Sequence, residues 1–294
     1  MADYKHNYAI ITDGNCDLTR QQAQELDVEV LPMPFMVDGV DYTGERENSM
    51  DPDEFYQRMR DGATVKTTQK SPHDYKQAFR PHLEAGRPIL SVSMASALSA
   101  TYNSSLIARD ELLEEFPDAT IICIDSEVAS MALGMLVQLV AQRRAQGESL
   151  QRVAAFAEEF KKHICVYLTV SDLKYLHRGG RLSGASALMG TLMSIKPILR
   201  LTGEGRLVAH SKVRGRKQSL DTLVKIAAES FRKEYCDTVY VLGSHIDDEL
   251  QELAWQLKKS CGAEKVELAT VGFAIGCHTG PGVVGVAFTA RSRD

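Results

Sequence analysis

The sequence predicts an α/β fold in two domains, an N-terminal parallel-sheet, Rossmann-like domain and a C-terminal mixed-sheet α/β domain. Three observations carry this. The first half alternates short apolar runs with amphipathic stretches, the pattern of a parallel sheet covered by helices. The second half interrupts that alternation with a hairpin signal, so hairpin and crossover connections share one sheet. The length of 294 residues matches about two domains, and 44% hydrophobic with 25% charged residues is enough to bury a sizeable core. The boundary is expected near Cys165, giving domains of residues 1–164 and 165–294.

Tyr8–Thr12 reads as the first strand, and Thr19 with Gln22 as a capping box that opens a helix to Leu26. Val28–Val37 reads as extended, at an edge or irregular, because Pro32 and Pro34 cannot donate to a ladder. Asp38-Gly39 is a hairpin turn signal. Asp51-Pro52 and Ser71-Pro72 each place a capping side chain before a proline at the first helical position. Ile89–Met94 reads as a strand, Ser99–Phe116 as a helix and Thr120–Asp125 as a strand. Met131–Gln146 and Leu150–His163 read as helices leading away from the sheet.

In the second half Cys165–Val170 reads as a strand, and Gly179-Gly180 breaks the chain soon after. Lys196–Leu201 and Leu207–Val213 flank Thr202-Gly203-Glu204-Gly205 as a hairpin. Helix, strand, helix and strand follow at Gln218–Tyr235, Thr238–Gly243, Asp247–Ser260 and Val266–Ala269. A Gly-rich stretch then leads to a last strand, Val283–Thr289.

The net charge of −5 argues against nucleic acid as a partner, since phosphate binding favours a basic surface. No run of about 18 apolar residues predicts a membrane span, and MADYKHNYAI has no signal-peptide core. A cytoplasmic location is expected. The six cysteines (16, 123, 165, 236, 261 and 277) form no CxxC and resemble neither a zinc site nor a disulfide framework, so reduced thiols and no metal are expected.

Four polar, small-residue segments fall at strand or helix ends, where ligands bind in α/β folds. Thr12–Asp17 follows the first strand, and Asp13 there serves either as a base or metal ligand or as the organiser of a turn. Thr67–Ser71 offers hydroxyls and an amide beside a helix N-terminus suited to an anion, with Ser71 itself read as a cap. Ser93–Tyr102 leaves a strand and opens a helix with small hydroxyl residues that suit a carboxylate better than a pyrophosphate. Gly276–Gly282 holds His278 and Thr279 among three glycines, which is either a backbone shaped around a ligand or a tight turn with a surface histidine.

Tyr175–Ser183 and Lys212–Lys217 are basic segments in an acidic chain, either a solvated face or a docking surface for a partner or a phosphate. G-x-G-x-x-G, the P-loop, GxSxG and HExxH are all absent, and no serine is marked out as an activated nucleophile.

Taken in order, TDGNCDL, TTQKS, MASALSATYNS, YLHRGGRLS, IKPIL, KVRGRK and GCHTGPG resemble the DegV family, from about residue 8 to 289. Ala95, Lys70 and Ala100 stand where that family has a serine, a proline and a glycine. The resemblance implies a two-domain α/β fold with one long-chain fatty acid in a buried tunnel between or beside the domains, no cofactor and no catalysis of its own. It further implies that a separate fatty-acid kinase receives the carboxylate and makes the acyl phosphate. Carried over by position, the carboxylate site would be Thr67, Ser96, His278 and Thr279, and the partner-kinase contacts Arg181 and Arg214. Burying such a chain would contribute about 0.8 kcal/mol per methylene before costs, so the chain would dominate affinity and the polar groups would set its direction.

Two other readings stay open. One is an enzyme acting on a small acid or phosphate ester, with His278 as general acid–base and Asp13 as a second group. The other is a sensor of a phosphate ligand that uses the basic segments.

Overall fold

A computed structural model describes residues 6–43, 49–183 and 194–294. The first strand, β1 (Ala9–Asp13), is buried along its whole length, as the consecutive apolar residues Ala9, Ile10 and Ile11 require of a strand covered on both faces. It pairs in parallel with β2 (Glu29–Leu31) on one side and β6 (Ile89–Ser93) on the other, and β7 (Ile121–Asp125) completes the order β2-β1-β6-β7. The helices between these strands start where the capping chemistry indicated. Thr19 forms a capping box with Gln22 at α1 (Arg20–Glu25), Asp51 caps α2 (Pro52–Arg60), and Ser71 forms a capping box with Asp74 at α3 (Pro72–Glu84). The next helix is α4 (Thr101–Glu115).

The prolines at 32 and 34 split the expected Val28–Val37 run. Its second half, β3 (Phe35–Val37), turns at Asp38-Gly39 into β4 (Val40–Asp41) and also pairs with β5 (Val65–Thr67). Both turn residues have φ > 0, as a tight hairpin demands. This three-stranded antiparallel sheet was not expected from sequence, because its strands are two or three residues long.

A second correction concerns α5 (Met131–Ala145). Rather than leading away from the sheet, it is buried on nearly every face and packs on strands of the six-stranded sheet described below. Its lack of amphipathicity is the sign of a helix enclosed on all sides. A Cβ at Gly134 would lie 2.5 Å from the Cys16 carbonyl oxygen, so glycine lets α5 approach the turn after β1. After α6 (Leu150–Phe160) the chain enters β8 (Ile164–Thr169), the first strand of a mixed sheet ordered β10-β9-β8-β13-β11-β12. β9 (Ile195–Leu201) and β10 (Leu207–Arg214) form the expected hairpin. β11 (Thr238–Gly243) and β12 (Lys265–Thr270) are the parallel pair, and β13 (Val284–Thr289) is antiparallel to both β8 and β11. Helices α8 (Arg216–Ser230) and α9 (Asp248–Cys261) cover the outer face over a core that includes Val284, Val286 and Phe288.

Two short helices frame the inner face. The basic YLHRGG stretch forms α7 (Lys174–Gly179). The Gly-rich stretch is a turn only in its second half: its first half is the end of α10 (Phe273–Thr279), and Gly280 and Gly282, both at φ > 0, then turn the chain towards the last strand. Gly276 explains the difference: a Cβ there would stand 2.4 Å from the Tyr56 hydroxyl, so tertiary packing, not propensity, places this helix. All six cysteines are free.

Candidate functional site

In the order β2-β1-β6-β7 the chain runs outward in opposite directions from β1 and β6, so the loops at their carboxyl ends splay apart. Crevices form at such switch points. Here a cavity of about 280 Å³ opens between those loops and the inner face of the six-stranded sheet. One side is lined by Asn15 after β1, by Met94, Leu98 and Ser99 after β6, and by Ala129 and Ser130 before α5. The opposite side is apolar sheet surface, including Val166, Leu168, Leu201, Leu207 and Leu242. Helix α10 closes the cavity with Ala274, Ile275, His278 and Thr279, and the exposed Thr68, Gln69 and Arg181 mark where it meets the surface.

The polar end is built by two distant segments. β5 delivers Thr67 and α10 delivers His278, and Thr67 Oγ1 lies 2.8 Å from His278 Nε2. The imidazole seats against Gly179, where a Cβ would come within 2.3 Å of Nδ1. Burial, reinforced by the positive charges of Arg181 and Arg178, pulls the His278 pKa down to about 4, so the ring is neutral at pH 7. His278 Nδ1 is buried without a hydrogen-bond partner. We assign the proton to Nε2, because a buried N–H without an acceptor is costlier than a bare lone pair. Nε2 then donates to Thr67, whose own hydroxyl hydrogen is free to point at a ligand oxygen.

Thr279 also lines the cavity, but its hydroxyl donates to the Ile275 carbonyl 3.1 Å away within its own helix. Arg181 sits at the mouth with Nε donating to the Leu98 carbonyl at 3.1 Å, so this residue, expected at a partner interface, is also part of the cavity lining. Arg214 lies exposed at the end of β10, away from the lining.

Ser96 is not brought to this site. The bonds from Leu98 and Ser99 N–H to the Ala95 carbonyl form a turn that carries Ser96 to the surface, where its N–H donates to the Asp125 carboxylate. Ser99, three residues on, faces the cavity instead. Ala95 packs on Gly205 at the tip of the β9–β10 hairpin, outside the lining. Lys70 is buried beside α3, also outside it.

Asp13 resolves in favour of the turn. Its Oδ1 accepts from the N–H and side-chain amide of Asn15, and its Oδ2 from the Met94 N–H at 2.9 Å, tying together the loops after β1 and β6. Burial raises its pKa despite these bonds. Asp17 acts similarly one turn later: it accepts from the Ser130 hydroxyl and, at 3.1 Å, from the Gly272 N–H at the start of α10. Burial lifts its pKa to about 7. Neither Asp17 nor Ser130 was singled out from sequence. The signal that could have found them is weak, because the left-handed backbone at both positions sits on residues other than glycine.

The family model described as an uncharacterised protein of the DegV family matches residues 7–291. The chain belongs to the DegV family. A DegV domain-containing protein of Clostridium perfringens is 33% identical over 287 residues, covering 98% of this chain and 99% of that protein. Among solved structures, a DegV family protein of Thermus thermophilus described by its fatty acid binding superposes with a TM-score of 0.84 at 30% identity, covering 96% of this chain and 99% of that one. A fatty acid binding DegV family protein of Streptococcus agalactiae gives 0.83 at 27% identity, covering 98% and 100%. The DegV fold thus covers 96% of this chain, with the parallel sheet on the N-terminal side and the mixed sheet on the C-terminal side. Among the described residues, no helix is long and apolar enough to cross a membrane.

Proposed function

We propose that this cavity holds one long-chain fatty acid, with its carboxylate at the Thr67–His278 end and its chain along the apolar sheet face. The observation that carries the reading is a neutral hydroxyl–imidazole pair, with Arg181 beside it, at one end of an otherwise apolar cavity. A carboxylate there would accept from Thr67 and gain the field of Arg181, while each buried methylene contributes about 0.8 kcal/mol. The two DegV structures described as fatty acid binding support the same ligand class.

The finer part of the proposal is that the protein is a carrier that presents the carboxylate to a separate kinase. The polar end is the end that reaches the surface, through Thr68, Gln69 and Arg181, which favours access from outside. The enzyme alternative is less well supported. A histidine held near pKa 4 is poorly matched to general acid–base work at neutral pH, and Asp13 has both oxygens committed to turn bonds. On this reading residues 1–164 and 165–294 act as two lobes around the ligand. Delipidated protein titrated with oleate or palmitate tests the first part, expecting saturable one-to-one binding. Adding a fatty-acid kinase and ATP tests the second: acyl phosphate should form only with both proteins present.

A further inference from the structure

The floor of the cavity is one face of the six-stranded sheet, and register fixes its residues. Leu168 of β8, Gly285 of β13 and Leu242 of β11 are direct neighbours across three adjacent strands. The next row pairs Val166, Ala287 and Tyr240 in the same way. Thus β13 packs Val284, Val286 and Phe288 into the outer core and turns Gly285 and Ala287 inward, as does Val283 just before the strand. Glycine in a central strand weakens it, and it commonly marks a place where a ligand or another backbone comes close. Gly285 has no left-handed backbone that would demand glycine, and it lines the cavity. A Cβ there would stand 3.2 Å from both Leu168 Cβ and the Tyr167 carbonyl oxygen and 3.7 Å from Leu242 Cδ1, so a side chain would press on β8 and stand between Leu168 and Leu242 on the cavity side. One row further the cavity narrows to the β8 side: Val166 still lines it, whereas Ala287 and Tyr240 lie outside the lining and the Tyr240 hydroxyl is bonded to Gln138 of α5.

We propose that Gly285 is a specificity-determining residue: its missing side chain opens a trough between Leu168 and Leu242 that receives part of the acyl chain, and so sets the chain length accepted. This rests on the fatty-acid reading above. Gly285 sits on β13 in the sheet floor, whereas Thr67 and His278 sit on β5 and α10, so changes at Gly285 should alter length preference while leaving both carboxylate-binding side chains in place.

The test is competition of saturated fatty acids of twelve to eighteen carbons for the delipidated full chain, with retained acids counted by native mass spectrometry. Gly285→Ala is expected to shift retention to shorter acids, lowering the ratio of the longest retained acid to the next by about ten-fold, since one methylene in a pocket discriminates by roughly 10–200-fold. Leu168→Ala, which widens the same trough, is expected to shift retention the other way, and the double variant to return towards wild type. A folded Gly285→Ala protein with the wild-type distribution would overturn the proposal. If Gly285→Ala does not fold, Leu168→Ala decides, and an unchanged distribution there is equally fatal. Wild-type protein that retains no fatty acid at all overturns the proposed function itself, and this inference with it.

Discussion

Thr67 and His278, 211 positions apart in sequence, meet through a 2.8 Å hydrogen bond at the polar end of the cavity. Neither residue lies on the sheets that build most of the cavity wall. One ends a three-residue strand and the other sits in the last turn of a seven-residue helix. Their meeting depends on both small elements being seated correctly.

Removing either partner should weaken fatty-acid binding. Hydrogen bonds to charged groups are worth about 1.5–3 kcal/mol, so Thr67→Val should lose roughly 10- to 100-fold in affinity by calorimetric titration, and His278→Gln, which acts through a neutral bond to Thr67 worth about 0.5–1.5 kcal/mol, roughly 2- to 10-fold, with the protein still folded. Wild-type affinity in both variants would move the carboxylate elsewhere.

Gly179 offers an indirect route to the same loss. Its Cβ would collide with His278 Nδ1, so Gly179→Ala should displace the imidazole and reduce binding at least as much as His278→Gln. Adding Gly179→Ala to His278→Gln should then cost little more, because residues sharing one contact are not additive.

Ser99 should matter more than Ser96. Ser99 lines the cavity, whereas Ser96 is exposed and held in a surface turn. Ser96→Ala should bind fatty acid within about two-fold of wild type, the range of surface substitutions, and Ser99→Ala should bind more weakly. The reverse order would place the head group on the far side of that turn.

The pH dependence of stability separates two buried groups by sign. His278 titrates near 4 when folded and near 6.5 when unfolded, so the unfolded chain holds more protons between these values. Its contribution to stability therefore falls as pH drops from 6.5 to 4, by about 3 kcal/mol, and His278→Gln should remove that fall from denaturant midpoints measured across the window. Asp17, raised from 3.8 to about 7, acts in the opposite sense: its contribution is present below pH 3.8 and lost as pH rises through 7. Asp17→Asn should gain on wild type between pH 4 and 8.

Much of the fold was legible in sequence because its signals are local. The capping boxes at Thr19 and Ser71, the turns at Asp38-Gly39 and Thr202–Gly205, and the buried runs of β1, β6 and β7 each specify their structure within a few residues. Helix α10 was not legible, because its helical state depends on Gly276 fitting beneath Tyr56, 220 positions earlier. The third sheet was hidden by strand length, and the central place of α5 by the absence of any sequence rule for which sheet covers a helix that is apolar on all sides over its first turns. At the site, the resemblance in sequence grouped Thr67 with His278, and the fold brings the two within hydrogen-bonding distance. It also named Ser96, but a single turn puts Ser96 at the surface and Ser99 on the cavity.

The most direct measurement is native mass spectrometry of the purified wild-type protein, with its organic extract analysed for free fatty acids. A stoichiometric adduct of about 250–290 Da, the mass of sixteen- to eighteen-carbon acids that a cavity of this kind retains, is the expected result. Protein that is clean of lipid and also fails to take up added oleate or palmitate would contradict it.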